Sequence, residues 1–489
     1  MPPTLSTILE EARLAGQALL EYAGGFAHPT LRLGVTGLTR AGKTVFMTAL
    51  VHNLLHGGRL PVFEAMSSGR IARARLSPQP DDDVPRFDYE AHVDKLITQR
   101  QWPESTRHVS ELRLVIEYQT ASARTRELTL DILDYPGEWL LDLPLLAKSY
   151  RQWSAETLAL SRQQPRVRLA PAWHTHLATL KPEAKEDEQT ALEAARLFTE
   201  YLRACRDERY AMSLLPPGRL LMPGDLAGSP ALTFAPLALP EEGSAPDGSL
   251  WAMMERRYDA YKRVLVRPFF HDHFARLDRQ IVLVDVLAAI NAGPEALHDL
   301  ENALTAILDC FRTGRRSLWT NLFMPRIDRI LFAATKADHL HHINHDRLER
   351  ILGRITREAM SRAKFAGARI DVIALAAVRA TREAVVKRGR EQLPSVVGRP
   401  IGGEAAGGET FDGSEVAIFP GDLPDDPEVL FSCDSGAFKG LIIADAREAD
   451  YRFLRFQPPP AETDGSGRLV LPQIRLDRAL EFLLGDHLA

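Results

Sequence analysis

The chain is poor in cysteine, in net positive charge and in long apolar runs. Its 489 residues hold three cysteines, Cys205, Cys310 and Cys433. They are odd in number and far apart, so they offer no disulfide framework and no metal knuckle, and they suit a reducing cytosol. The formal net charge is −5, whereas nucleic-acid binding usually brings a strong basic excess, so no nucleic-acid partner is expected. No apolar run approaches the ~20 residues that span a bilayer. Glu10, Glu11 and Arg13 interrupt any signal-peptide core. A cytoplasmic protein is expected. Hydrophobic residues make up 45% and charged residues 26%, as in ordinary globular chains. The length implies about two to four structural units.

What is present is a strand and helix alternation with one long interruption. Residues 4–22 carry leucines 5, 9, 14, 19 and 20 at helical spacing, and Gly24 and Gly25 end that helix. An apolar run at 31–36 leads into a glycine-rich loop, and 44–56 reads as a helix. Residues 57–108 are irregular and rich in Arg, Ser and Pro. Strands are expected at 109–118 and 127–134, joined as a hairpin. A helical stretch of about 139–275 follows, with patterns near 144–162, 186–206 and 249–275 and a Pro/Gly-rich loop at 215–247. Alternation resumes with strands at 280–286, 328–334 and 369–375, each followed by a helix, the last reaching about 390. Strand-like pieces lie near 414–419, 438–444 and 451–456, and 476–487 closes the chain as a helix.

The fold class expected is therefore α/β: a mostly parallel six-stranded sheet with one antiparallel strand, a large helical insertion and a small C-terminal α+β extension. The units divide as an N-terminal helix (1–29), a first half (30–138), the insertion (139–275), a second half (276–395) and the extension (396–489). No internal repeat or heptad run is visible, so the oligomeric state stays open.

Four segments at strand ends carry chemistry. The first is GLTRAGKT at 37–44, which matches G-x-x-x-x-G-K-T between strand and helix. Gly37 and Gly42 let the backbone turn tightly and approach a phosphate. The expected nucleotide contacts are Gly37, Thr39, Arg40, Ala41, Gly42, Lys43, Thr44 and Val45. The helix start adds its dipole. Lys43 can bridge β- and γ-phosphates, and the Thr44 hydroxyl can ligate Mg²⁺.

The second segment is Asp134-Tyr135-Pro136-Gly137. Here Asp134 would hold Mg²⁺ through a water and the Gly137 N–H would sense a γ-phosphate. Asp285, at the end of another strand, is a rival for the metal-linked carboxylate, and Gly137 favours Asp134. The third is Thr335-Lys336-Ala337-Asp338. Its carboxylate can accept from the guanine N1–H and N2 amine, a donor pair adenine lacks, while the Lys336 stem lies over the base. The fourth is Ala376-Ala377-Val378, whose N–H groups can reach the guanine O6, although a plain strand-end loop reads equally well.

These segments, in this order and on these strand ends, resemble the Ras-like GTPase superfamily. Within it the sequence is similar to the YcjX-like family of bacterial stress-associated GTPases, through GLTRAGKT at 37–44, DYPGEW at 134–139, TKADH at 335–339 and IRLDRALEFLLGD at 474–486. The resemblance implies binding of GTP and GDP, dependence on Mg²⁺ and a cytoplasmic role in envelope or general stress.

Departures from the Ras-like pattern shape the expected activity. Glu138 stands where a glutamine commonly orients the attacking water, and its charge is unfavourable beside a γ-phosphate. The catalytic set read from sequence is Lys43, Gly137 and Glu138, with slow hydrolysis expected. Arg40 either reaches the phosphates as a built-in cation or points to solvent. Thr106 is the chosen switch threonine for Mg²⁺, over Ser105 and Thr98, and 57–108 would be an enlarged switch I. An unidentified protein effector is expected to act through the insertion, which follows switch II directly.

Other clusters read more plainly. His339, His341, His342 and His345 fit a polar helix start, with zinc as the rival reading for His341 and His345 at i,i+4. Arg379, Arg382, Lys387, Arg388 and Arg390 read as the solvated face of a helix, with peripheral contact to an anionic surface such as the inner membrane as the alternative. An ATP-binding P-loop enzyme, and a nucleotide-binding scaffold without turnover, are the competing functions.

Overall fold

The computed structural model describes residues 29–489, except 39, 105–107, 227, 311–326, 359, 362–366, 407–408, 433–452, 461, 464–466 and 468. The expected helix at 4–22 and the strand piece at 438–444 lie outside the described residues.

The first strand, β1 (Thr30–Gly37), runs into the glycine-rich loop and then α1 (Lys43–His56). Next come β2 (Ile71–Ser77), α2 (Tyr89–Ile97), β3 (Ser110–Gln119) and β4 (Thr125–Asp134). The helical stretch follows, with α3 (Tyr150–Ser161), α4 (Glu188–Arg206) and α5 (Leu250–Tyr261). Then come β5 (Arg279–Val284), α6 (Val286–Ala292), α7 (Pro294–Cys310), β6 (Arg329–Ala334), α8 (His345–Ile355) and β7 (Arg369–Ala374). The last part holds β8 (Arg382–Arg388), β9 (Glu391–Gly398), β10 (Val416–Ile418) and α9 (Leu476–Leu484).

The main sheet has the order β2-β3-β4-β1-β5-β6-β7. β3 runs antiparallel to both its neighbours, and the other pairings are parallel. β5 is buried at all six positions (RQIVLV), as a central strand covered on both faces must be. Register fixes the site. Val35 pairs with Asp134, Gly37 with Leu283, and Val284 with Ala334, so the glycine-rich loop and the ends of β4, β5 and β6 share one edge of the sheet. Crevices beyond the carboxyl ends of parallel strands are where such sheets bind ligands.

Two expectations are corrected. Among the described residues the sheet has seven strands, not six: Ile71–Ser77 forms an additional edge strand on β3 inside the stretch read as irregular. An edge strand that exposes Arg73 to solvent lacks the apolar alternation of a half-buried strand. The same stretch also contains α2, whose cap Asp88 accepts from Ala91 N. The second correction concerns the helix expected after β7. Residues 382–398 form the antiparallel hairpin β8–β9, and Arg382, Lys387 and Arg388 are strand residues. Val385 and Val386 favour the extended backbone, and Gly389 takes φ 63° at the turn, a conformation that ends any helix.

The helical stretch folds around aromatic side chains. α4 is capped by Asp187, which accepts from Thr190 N, and buries Ala191, Ala194, Phe198, Tyr201 and Leu202 at helical spacing. Trp153 stacks on Tyr258 at 5.1 Å between ring centres, and Trp173 on Tyr201 at 4.9 Å. Buried Arg166 pairs with Asp299 of α7, which ties this stretch to the second half of the sheet. The closing helix α9 buries Leu476, Ala479, Leu480, Leu483 and Leu484 in the same core as Phe46, Leu50 and Leu54 of α1. No helix among the described residues is long and apolar enough to cross a membrane.

Candidate functional site

The loop after β1 is shaped for an anion. Gly42 caps α1 at φ 81°, no side chain caps that end, and its first turn holds no acidic residue, so the positive end of the helix meets no carboxylate of its own. Lys43 is 9% exposed, and its ammonium donates a 2.9 Å hydrogen bond to the Gly37 carbonyl, across the mouth of the loop. A Cβ on Gly37 would lie 2.8 Å from the Leu283 carbonyl oxygen, so only glycine passes there. Arg40 holds φ 62°, a left-handed conformation that costs a non-glycine residue ~1–2 kcal/mol. Its guanidinium pairs with Glu208, just beyond α4. Burial first, then the nearby guanidiniums of Arg206 and Arg455, push the Arg40 pKa down. Three arginines thus crowd one side of the loop.

The end of β4 meets the loop directly. A Cβ on Gly137 would lie 2.0 Å from the Gly37 carbonyl oxygen. Asp134, 1% exposed, stands at the strand end beside Val35. From Gly137 the chain enters a 3-10 helix, Gly137–Ala147, sunk in the helical stretch. Glu138 Oε1 accepts a 2.8 Å bond from Arg206 Nη2. Gly218 N and Tyr261 Oη each donate a 2.6 Å bond to the Asp142 carboxylate. Trp139 Nε1 donates to the Met222 carbonyl at 3.3 Å, and Arg219 lies 3.5 Å over its ring. A movement of Gly137 therefore cannot stay local.

On the other side, Thr335–Asp338 follows β6. Lys336 takes φ 61°, and its ammonium pairs with Asp285. Asp285 also caps α6 by accepting from Ala288 N at 3.1 Å. The rival carboxylate is thus engaged by Lys336 and by the start of α6. Asp338, 3% exposed, accepts from Ala380 N at 2.8 Å, and its backbone carbonyl accepts from the Thr381 hydroxyl. Ala376 exchanges backbone hydrogen bonds with Ile474, so its N–H is already donated, which leaves Ala377 and Val378 as the donors of that segment.

Thr39 and Thr106 lie outside the described residues. The Thr44 hydroxyl donates to the Glu104 carbonyl at 3.2 Å, so the chain just before 105–107 passes close to the start of α1. Val45 lies in the first turn of α1, half-buried. Sequence reading missed Arg206 and Glu208. They end or follow the expected helix 186–206, and no spacing rule links them to Glu138 or Arg40.

The sequence model of the YcjX-like family, DUF463, matches residues 31–488. This chain belongs to the YcjX-like family. It is 36% identical over 482 residues to the Ras-like GTPase YcjX of Escherichia coli (strain K12), covering 94% of this chain and 96% of that protein. The Ras-like GTPase YcjX of Shewanella oneidensis (strain MR-1) is 34% identical over 488 residues, covering 94% of each chain. The match spans the residues of the sheet and of the helical stretch alike.

Proposed function

We propose that this YcjX-like chain is a guanine-nucleotide switch that hydrolyses GTP slowly with Mg²⁺. One observation carries the reading. Gly37, Lys43, Asp134, Gly137 and Asp338 stand on one edge of the sheet, with Gly137 in contact with Gly37. Lys43 takes the β- and γ-phosphates in place of the Gly37 carbonyl, and Asp338 takes the guanine N1–H and N2 amine, with Ala377 and Val378 N–H groups at O6. The Thr44 hydroxyl, in the first turn of α1, and the Asp134 carboxylate, at the end of β4, are hard oxygen donors of the kind Mg²⁺ takes, with Thr106 as the switch I ligand. The ion, when bound, supplies charge neutralisation of the phosphates.

Hydrolysis is attack of water on the γ-phosphorus. The bond to the β–γ bridging oxygen breaks, GDP leaves, and the water proton ends on the released phosphate. The Gly137 N–H holds a γ-oxygen. Arg206, supplied by the helical stretch in the same chain, places a cation beside the developing charge. Glu138 holds that cation, so the acid after the switch glycine is neutralised rather than turned on the phosphate. Because Glu138, Trp139 and Asp142 are all bonded into the helical stretch, the nucleotide state moves it, and that stretch presents the effector surface. The cellular setting is the bacterial stress response that the family resemblance implies.

The test is displacement of a fluorescent GDP analogue by GDP, GTP and ATP with Mg²⁺. GTP and GDP are expected to compete at least ~100-fold better than ATP, and Asp338→Asn to erase most of that preference. Equal competition by ATP, or an unchanged preference in the variant, contradicts guanine selection.

A further inference from the structure

The histidines that follow the guanine segment find a partner that their own spacing does not supply. His345 is not it: its Nε2 is 2.9 Å from the Ala337 carbonyl. The partner is Glu383 on β8, in the hairpin that replaces the expected helix. His342 Nδ1 lies 2.8 Å from Glu383 Oε2, and His342 N donates to Glu383 Oε1 at 3.1 Å. His341 is 7% exposed, its ring centre is 4.4 Å from that of His342, and its Nδ1 is buried with no hydrogen-bond partner among the described residues. One ring nitrogen from each histidine and one carboxylate oxygen of Glu383 all lie within 4.8 Å of one another.

We propose that His341, His342 and Glu383 form a three-ligand site for a first-row transition-metal ion of the zinc class. Two imidazoles and one carboxylate suit Zn²⁺ and its neighbours, and three protein ligands leave a position for water. A buried imidazole nitrogen with no partner is a destabilising feature that a metal bond removes. His342 is 63% exposed at its side chain and Glu383 29%, so an ion has a path in from solvent. Arg379 lies 3.8 Å from Glu383 and is about one-third exposed, and its Nε donates to the Thr381 carbonyl at 2.9 Å, which holds its stem beside the site rather than in it. The ion joins two pieces of chain that both touch the guanine segment. His341 and His342 follow Asp338 by three and four residues, and Glu383 follows Ala380 and Thr381, which bond Asp338. The metal therefore rivets the recognition loop to β8. The site is independent of the nucleotide reading, because none of its ligands is assigned to GTP.

The experiment uses the full chain, stripped with a chelator and titrated with Co²⁺ in excess Mg²⁺, so that hard oxygen sites are filled. The visible d–d bands of Co²⁺ are expected to saturate at one equivalent and to vanish on adding Zn²⁺. Glu383→Gln and the exposed-site variant His342→Ala are each expected to weaken Co²⁺ binding at least ~10-fold. Zn²⁺ is expected to raise the thermal midpoint of the wild-type chain and not that of the His342→Ala/Glu383→Gln double variant. No saturable band in the wild-type chain would overturn the site and leave His342–Glu383 as a plain hydrogen-bonded pair. Equal Co²⁺ affinity in folded variants would overturn it too.

Discussion

Glu138, the residue after Gly137, is bonded at 2.8 Å to Arg206, the last residue of α4. Glu138 is 4% exposed, so without Arg206 its carboxylate would be buried with its cation removed. Arg206→Ala is therefore expected to lower single-turnover GTP hydrolysis at least ~100-fold. Nucleotide affinity should change only a few-fold. Arg206→Lys keeps the charge but not the fork geometry, and should recover only part of the loss. Glu138→Gln should give a smaller loss than Arg206→Ala. Quenched-flow phosphate release measures all three. Wild-type hydrolysis in Arg206→Ala contradicts the role of Arg206.

Gly137 packs directly against the glycine-rich loop after β1. A methyl group there would stand 2.0 Å from the Gly37 carbonyl oxygen, closer than any real contact. Gly137→Ala must push the switch segment off the P-loop. Hydrolysis is expected to fall at least ~10-fold and stability by about 1–3 kcal/mol. Phosphate release and urea denaturation check this, and unchanged hydrolysis would show that the contact is incidental.

Arg40 and Glu208 join the P-loop to the chain just after α4. Both side chains are half exposed, and such pairs are worth ~0–1 kcal/mol. Breaking the link by Glu208→Gln is expected to speed release of labelled GDP no more than about 5-fold, and less at high salt. A slower release would contradict the link.

Asp142 fixes the 3-10 helix after Gly137 to Gly218 and Tyr261. Burial raises its pKa to about 6, ahead of the lowering by the two hydrogen bonds. Unfolded, it titrates near ~4. The folded chain therefore holds the extra proton between those values, and stability is lost as pH rises through about 6. Asp142→Asn removes this titration. Relative to wild type, its unfolding free energy should improve by up to about 3 kcal/mol between about pH 4 and about pH 7.5. A constant difference across that range contradicts the assignment.

The parallel strands were legible because buried strands read as short apolar runs, as in IVLV at 281–284 and ILFAA at 330–334. The helices of 139–275 were legible because Phe198, Tyr201 and Leu202 recur at helical spacing. β2 was not, because its arginines hide an edge strand. The hairpin β8–β9 was not, because a run of Arg and Lys reads equally well as a helix face, and Val385, Val386 and Gly389 decide it only through pairing with β9. The glycine-rich loop at 37–44 is contiguous in sequence, so its residues could be read together without any long-range contact. The roles proposed for Arg206 and Glu383 rest on contacts 68 and 41 residues away, which no local pattern announces.

The central claim is that the edge of the sheet binds and cleaves GTP. Phosphate release from GTP with Mg²⁺ by the purified full chain, compared with Lys43→Ala, tests it most directly. The wild-type chain is expected to release phosphate slowly and only with Mg²⁺, and the variant at least ~100-fold more slowly. Release equal in the two chains, or none above background while GTP is bound, would contradict it.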